Sequence, residues 1–274
     1  MEHCRAAVFD MDGTLLDNRS VLRASTCAAQ TFLRLHGVRV IVCSGRPLYS
    51  LKEIVPAGIA DCLCACNGQA VYYPEEDLTV SEPCLSYSDL KRITSRSRRI
   101  PVIYTSADEN CSVQWTHSNA PAAAWLYDRA HETFRRLQGW KIRSVTLLMD
   151  DPPVDSSAKI CIASSRKELL RIQKELSDTY ACYFVGPLWL EIMHQSVGKG
   201  SALLKILERY GIDPSECIAF GDGENDIPLF DVCGMGIAMG NAMRALKKRA
   251  DGITLSNDQD GAAVWIRAHI SMFL

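Results

Sequence analysis

Residues 5–9 end in an unbroken apolar run, Ala6-Ala7-Val8-Phe9, and an acidic residue, Asp10, follows at once. A short continuous run of this kind predicts a strand buried on both faces. The period then lengthens. Val21, Leu22, Ala24, Cys27, Ala28, Phe32, Leu33 and Leu35 supply the apolar positions of a helix over 20–36, with Gly37 ending it. Val38–Cys43 is a second strand, closed by Ser44-Gly45-Arg46-Pro47, and Pro47 suits the first turn of a helix to about Val55. Asp61–Cys66 is a third strand, followed by the turn signal Asn67-Gly68.

After about residue 80 the rhythm changes. A hairpin (69–73, 78–82) leads to a helix near 87–99, extended segments at 101–105 and 111–116, and a helix over 119–137. Strands are expected at 144–150 and 159–163, on either side of the Pro152-Pro153 break. Ser165-x-x-Glu168 reads as a capping box for a helix through Leu176, and strands at 180–185 and 188–193 follow. From about 196 the first rhythm returns. Lys199-Gly200 opens a helix that Gly211 ends, strand 217–220 runs into Gly221-Asp222, and strand 235–239, helix 241–250, strand 253–255 and helix 260–270 complete the chain. The expected architecture is α/β: a doubly wound, Rossmann-like parallel-sheet core (1–82 and 189–274) interrupted by an α+β module (83–188).

Composition narrows the function classes. The 274 residues are 47% hydrophobic with a formal net charge of −2, which suits a packed globular protein and gives no global basic field for nucleic acid. Lys91, Arg92, Arg96, Arg98 and Arg99 form the most basic stretch, a solvated helix face or a local anion site. The twelve cysteines are scattered through apolar runs, as buried free thiols are, and point to a reducing cytoplasm. Cys62-x-Cys64-x-Cys66 lacks the spacing of a zinc knuckle. No charged leader with a long apolar core is seen, so neither a signal peptide nor a membrane span is expected.

Polar residues gather where strands end, the rim at which open α/β sheets bind ligands. Asp10 and Asp12 are two positions apart, and in extended chain both side chains face the same side. Two such carboxylates repel, and a divalent cation is one remedy, whereas a solvated acidic turn is the plain alternative. Ser44-Gly45-Arg46 offers a hydroxyl and a backbone amide at a helix start, which suits a phosphate oxygen. Lys199 stands at a helix N-terminus, where its charge makes sense if it serves an anion. Gly221-Asp222-Gly223-Glu224-Asn225-Asp226 places three acids and an amide in one loop, as a hard cation or a calcium-type loop requires.

Together, Asp10-x-Asp12-Gly13-Thr14, Ser44, Lys199 and Gly221-Asp222-x-x-Asn225-Asp226 resemble the four motifs of the haloacid dehalogenase (HAD) superfamily. Asn67-Gly68, Met239-Gly240-Asn241-Ala242 and Asp258-Gln259-Asp260-Gly261 resemble its Cof-type branch, class IIB, whose α+β cap lies between motifs two and three. The resemblance implies a Mg²⁺-dependent phosphatase of small phosphorylated metabolites, sugar phosphates first, acting through an aspartyl-phosphate. It implies Asp10 as nucleophile, Asp12 as general acid and base, and Lys199 with Ser44 on the phosphate. It further implies Mg²⁺ held by Asp10, the Asp12 carbonyl and Asp222, with Asp226 orienting Lys199 or a metal-bound water. Gly45, Arg46, Asn67 and Asn225 are further phosphate or substrate candidates, with structural hydrogen bonding as the alternative for Arg46 and Asn67. Trp115, His117, Trp125, Tyr127 and Trp189 are either cap core or platforms for a sugar or base. A phosphomutase of the phosphomannomutase type, or a regulator that binds a phosphometabolite without turnover, carries the same motifs.

Overall fold

The computed structural model describes residues 3–96, 102–105, 113–117, 143–147, 152, 154–186 and 188–274. The first segment runs β1 (Ala6–Phe9), α1 (Ala24–Leu35), β2 (Arg39–Cys43), α2 (Leu48–Ile54), β3 (Cys62–Ala65), β4 (Ala70–Tyr73) and β5 (Leu78–Ser81). The middle holds β6 (Leu85–Ser86), α3 (Tyr87–Arg96), β7 (Val102–Thr105), β8 (Val113–His117), β9 (Arg143–Leu147), β10 (Ser156–Ser157), β11 (Lys159–Ala163), α4 (Arg166–Leu176), β12 (Tyr180–Val185) and β13 (Trp189–His194). The last segment has α5 (Lys199–Tyr210), β14 (Cys217–Gly221), α6 (Ile227–Val232), β15 (Met235–Ala238), α7 (Arg244–Lys247), β16 (Gly252–Ile253) and α8 (Gly261–Ala268).

Two compact units result. The first joins the residues up to Ser81 to Gly198–Leu274, and the second is Glu82–Val197. The first is an eight-stranded sheet in the order β16-β15-β14-β1-β2-β3-β4-β5. Its strands from β16 to β3 are parallel, and β4 and β5 are antiparallel additions. β1 and β14 are wholly buried, as continuous apolar runs in a covered parallel sheet must be. Phe9 stacks on Phe220 at 5.0 Å between centroids, and Trp265 of α8 meets Phe220 edge-on at 5.5 Å. Each such side chain contributes roughly 1.5–3 kcal/mol by leaving water.

Among the described residues the second unit has a six-stranded sheet ordered β12-β13-β11-β7-β8-β9, parallel only between β8 and β9. Leu90 and Ile93 of α3 and Leu169, Ile172 and Leu176 of α4 form one apolar cluster with Tyr104, Ile160, Ile162, Leu190 and Ile192 of the sheet.

Several expected boundaries move. β13 was expected in the core, but it pairs with β11 and β12, so the second crossing between units falls at 197/198 instead of 188/189. The helix expected from residue 20 starts at Ala24, because the Asp17 carboxylate accepts the N–H groups of Arg19 and Val21 and holds a turn there. Val21 is exposed, and Gln30 stands on the buried side of α1. Pro47 precedes α2 as its N-cap residue instead of lying in its first turn. Ser165 caps α4 through the Glu168 N–H, but the Glu168 carboxylate turns to Arg171, so the reciprocal half of the box is not made. The expected helix over 241–250 shortens to α7, with Met243 as its N-cap. The expected helix over 119–137, and the ends of 87–99 and 144–150, lie outside the described residues.

Candidate active site

β14, β1, β2 and β3 are neighbours, and each delivers polar groups just beyond its carboxyl end. Asp10 follows β1, where its N–H donates to the Phe220 carbonyl at 3.0 Å. Its carboxylate is buried against Lys199, the first residue of α5. Lys199 is wholly buried, and its Nζ lies 2.5 Å from Asp10 Oδ1 and 2.6 Å from Asp226 Oδ1. The other Asp226 oxygen accepts the N–H groups of Asp222 and Gly223, both at 2.9 Å. Asp226 therefore shapes its own loop and fixes the lysine at once.

Asp222 comes off β14 and accepts the Thr14 hydroxyl at 3.2 Å. It lies so close to Gly13 that a Cβ there would sit 2.4 Å from Asp222 Oδ2, and Gly13 has φ +82°. Only glycine satisfies both conditions. Oxygens of Asp10, Asp222 and Asp226 lie within 4.8 Å of one another. Burial, with repulsion from Asp226, pushes the Asp222 carboxyl up to about 7 against the pull of Lys199. Burial likewise holds Asp10 well above the usual carboxylate range, although Lys199 opposes it. Burial alone would lower Lys199, but Asp10 and Asp226 overcome it and hold the ammonium well above its ordinary value. Two buried acids and the half-buried Asp222 against one cation leave an all-oxygen, electron-rich cluster, and that donor set fits a hard divalent ion.

Asp12 does not share this burial. The extended chain ends at Phe9, and a turn on the Met11 carbonyl swings Asp12 away from the line expected for alternate strand residues. Its side chain is 49% exposed, whereas that of Arg46, which grips it, is 4% exposed. The contacts are Nε to Oδ2 at 2.7 Å and Nη2 to Oδ1 at 2.6 Å, a planar two-point fork. Ser44, buried at the end of β2, accepts the Arg46 N–H on its hydroxyl at 3.1 Å, which leaves the O–H to donate. Gly45 lies between them, partly buried. Asn67 is wholly buried beyond β3, and its Oδ1 accepts the Asn225 side-chain amide at 3.0 Å.

Thr14 and Asn241 were not expected to act at the site. Asn241 donates to the Gly13 carbonyl at 2.8 Å and accepts the Asn257 N–H at 3.0 Å, so the chain after β15 braces the turn after Asp12. Both residues stand inside motifs quoted for family resemblance, but the contacts of Thr14 with Asp222 and of Asn241 with Gly13 cross more than 200 residues of sequence and leave no local signal. Trp125 and Tyr127 lie outside the described residues, as do the side chains of Trp115 and His117. Trp189 stands in β13 opposite Ala163 and Val185. Lys91, Arg92 and Arg96 are exposed on α3, and Arg98 and Arg99 lie outside the described residues.

A family model for haloacid dehalogenase-like hydrolases matches residues 7–266. The chain is 29% identical over 257 residues to HMP-PP phosphatase of Citrobacter koseri, covering 88% of this chain and 86% of that one. It is 26% identical over 282 residues to 5-amino-6-(5-phospho-D-ribitylamino)uracil phosphatase YwtE of Bacillus subtilis, covering 96% of each. A solved HAD subclass IIB sugar phosphatase shares the fold with a TM-score of 0.83 at 19% identity, over 97% of this chain and 99% of that one. With a family match that spans nearly its whole length, the chain belongs to the haloacid dehalogenase-like hydrolases.

Proposed function

We propose that the protein is a Mg²⁺-dependent phosphoric monoester hydrolase that acts on small phosphorylated metabolites, sugar phosphates first. The observation that carries this reading is the buried Lys199 ammonium, shared between Asp10 and Asp226 with Asp222 beside them. It supports reading the Asp10 carboxylate as the nucleophile, since attack on a phosphate ester is helped by a fixed positive charge beside the attacking oxygen. The names of the two phosphatase relatives support the same class.

Asp10, Asp222 and the Asp12 carbonyl would hold Mg²⁺, with Asp226 acting through water because both its oxygens are engaged. Bound there, the ion offsets negative charge between phosphate and carboxylate. Asp10 attacks phosphorus, its new P–O bond forms as the bond to the leaving oxygen breaks, and an aspartyl-phosphate results. Asp12 protonates the leaving oxygen and then takes a proton from the water that releases orthophosphate. Arg46 orients Asp12 for both transfers through the fork. Ser44 and Gly45 donate to phosphate oxygens, and Lys199 balances charge on them. Glu82–Val197 serves as a class IIB cap that reads the leaving group. Cys4, Cys62 and Cys217 are buried thiols, and such thiols support the reading of a protein kept in a reducing cytoplasm. Among the described residues no helix is long and apolar enough to cross a membrane.

The test is a turnover screen of the purified protein with Mg²⁺ against phosphorylated sugars, nucleotides and cofactors. Saturable phosphate release is expected, highest on sugar phosphates. Isomerised ester without net release, or binding without turnover, would replace this reading by a mutase or a regulator.

A further inference from the structure

Beyond β3 the backbone does something costly. Cys66, Asn67 and Gly68 have φ of +47°, +55° and +105°, three consecutive residues in the left-handed region. Glycine tolerates this and asparagine accepts it, but a cysteine there is strained. All three are buried, so no surface turn explains the strain.

The contacts of this turn do explain it. The Cys66 N–H donates to the Arg46 carbonyl at 2.8 Å, and the Asn67 N–H donates to the Ser44 carbonyl at 2.9 Å. The Asn67 side chain takes the Asn225 amide. Gly68 presses on the residue that precedes Lys199: a Cβ there would lie 2.7 Å from the Gly198 carbonyl oxygen and 2.7 Å from Ala202 Cβ. One three-residue turn thus touches the Ser44–Arg46 loop, the Asp222–Asp226 loop and the start of the Lys199 helix. These are three separate elements of the candidate active site.

We propose that Asn67 is a positioning residue, the hub of a left-handed turn that locks the Ser44, Lys199 and Asn225 elements into one frame. It acts on the spacing of the groups that hold and attack the phosphate. A right-handed or extended path at 66–68 would withdraw the Asn67 and Cys66 N–H groups from the Ser44 and Arg46 carbonyls and lift Gly68 off Gly198. The strain is retained because every other path gives up all three contacts. This inference deepens the phosphatase reading and rests on it for its kinetic part only.

The experiment compares wild type, Asn67→Gly, Asn225→Ala and the double variant. Glycine keeps the left-handed backbone and removes the amide, so Asn67→Gly folds. With 4-nitrophenyl phosphate and Mg²⁺, kcat of Asn67→Gly should fall roughly 10–100-fold with KM within about twofold, the penalty of misplaced groups. Because the two amides act as a unit, the double variant should be no worse than the poorer single one. A raised KM with kcat preserved, or losses that multiply in the double variant, would overturn the proposal and make Asn67 a substrate contact. Hydrogen exchange without substrate supplies the second measurement. Without the Asn225 clamp, and with the added backbone freedom of glycine, the turn should leave its left-handed path more often. Amides near 44–46, 199–202 and 223–226 should therefore all exchange faster in Asn67→Gly, and acceleration confined to 66–68 would overturn the hub even if the protein hydrolysed no ester.

Discussion

Arg46 holds both carboxylate oxygens of Asp12, at 2.6 and 2.7 Å, and of the two side chains it is the arginine that is buried. A buried guanidinium cannot follow a moving partner, so it fixes where Asp12 works from the inside. Arg46→Gln removes the fork and leaves Asp12 free to swing. On an alkyl phosphate, kcat should fall by about 10²-fold, with a smaller loss on an aryl phosphate whose leaving group needs little protonation. Steady-state kinetics on the two esters decide it. An increase in KM alone on both would instead assign Arg46 to the substrate.

Asp12→Asn keeps the volume and the backbone carbonyl and removes proton transfer, typically worth about 10²–10⁴ in rate. The alkyl ester should lose that amount in its first step. The aryl ester should still phosphorylate Asp10 but stall afterwards, so an acid-stable, hydroxylamine-sensitive phosphoenzyme should accumulate. Equal losses on both esters without phosphoenzyme, in a folded variant that binds Mg²⁺, would take Asp12 out of the acid/base role.

The acid cluster predicts how metal and proton compete. Asp222 titrates at about 7 in the folded protein, and an unfolded aspartate near 3.8. Between those values the folded state binds more protons, so this group stabilises the metal-free fold fully below the lower value and less as pH rises through the upper one. Asp10, also raised, acts in the same direction. The contribution of Lys199 is complete below its ordinary 10.5 and is constant across this window. On the proposed reading Mg²⁺ takes the place the protons leave, so its stabilising effect should grow from about pH 5 to about pH 8. Melting curves with Mg²⁺ and with chelator measure the difference at each pH. An equal Mg²⁺ shift at both ends would mean the ion binds elsewhere.

Gln30 is buried in α1, and neither its amide nitrogen nor its amide oxygen has a hydrogen-bond partner among the described residues. An unmade hydrogen bond in the interior costs about 1–3 kcal/mol per group. Gln30→Met, similar in volume and apolar, should raise stability by about 1 kcal/mol, or about 2–4 °C in Tm, with kcat unchanged. A fall in Tm would show that the amide has a role in the fold.

Much of this was legible in the sequence, for a physical reason. A strand buried on both faces must be a continuous apolar run, so β1, β2 and β14 announced themselves, and Asp10, Ser44 and Asp222 stood at their ends. Lys199 was readable because a charge at a helix N-terminus calls for an explanation. The Arg46–Asp12 fork was not readable, because it depends on a turn at Met11 that alternation does not encode. The left-handed path at Cys66–Gly68 was seen only as a turn, since Asn-Gly marks a positive φ without saying how many residues share it. The crossing at 197/198 was missed because β13 resembles a core strand in composition, and only its register with β11 and β12 assigns it.

The place of β14 in the sheet has a consequence for how the protein is made. It fills the gap beside β1, whose other edge is taken by β2, so β1 has one open edge until residues 217–221 leave the ribosome. The middle unit has its own apolar cluster and can close first, while the older half waits with an apolar strand unpaired. For the first part of that interval Asp10 has no ammonium beside it, because Lys199 lies 189 residues later. A chain stopped short of β14 therefore keeps an adhesive edge, and one stopped short of Lys199 has an uncompensated acid as well. Such fragments are expected to aggregate or to be held by chaperones.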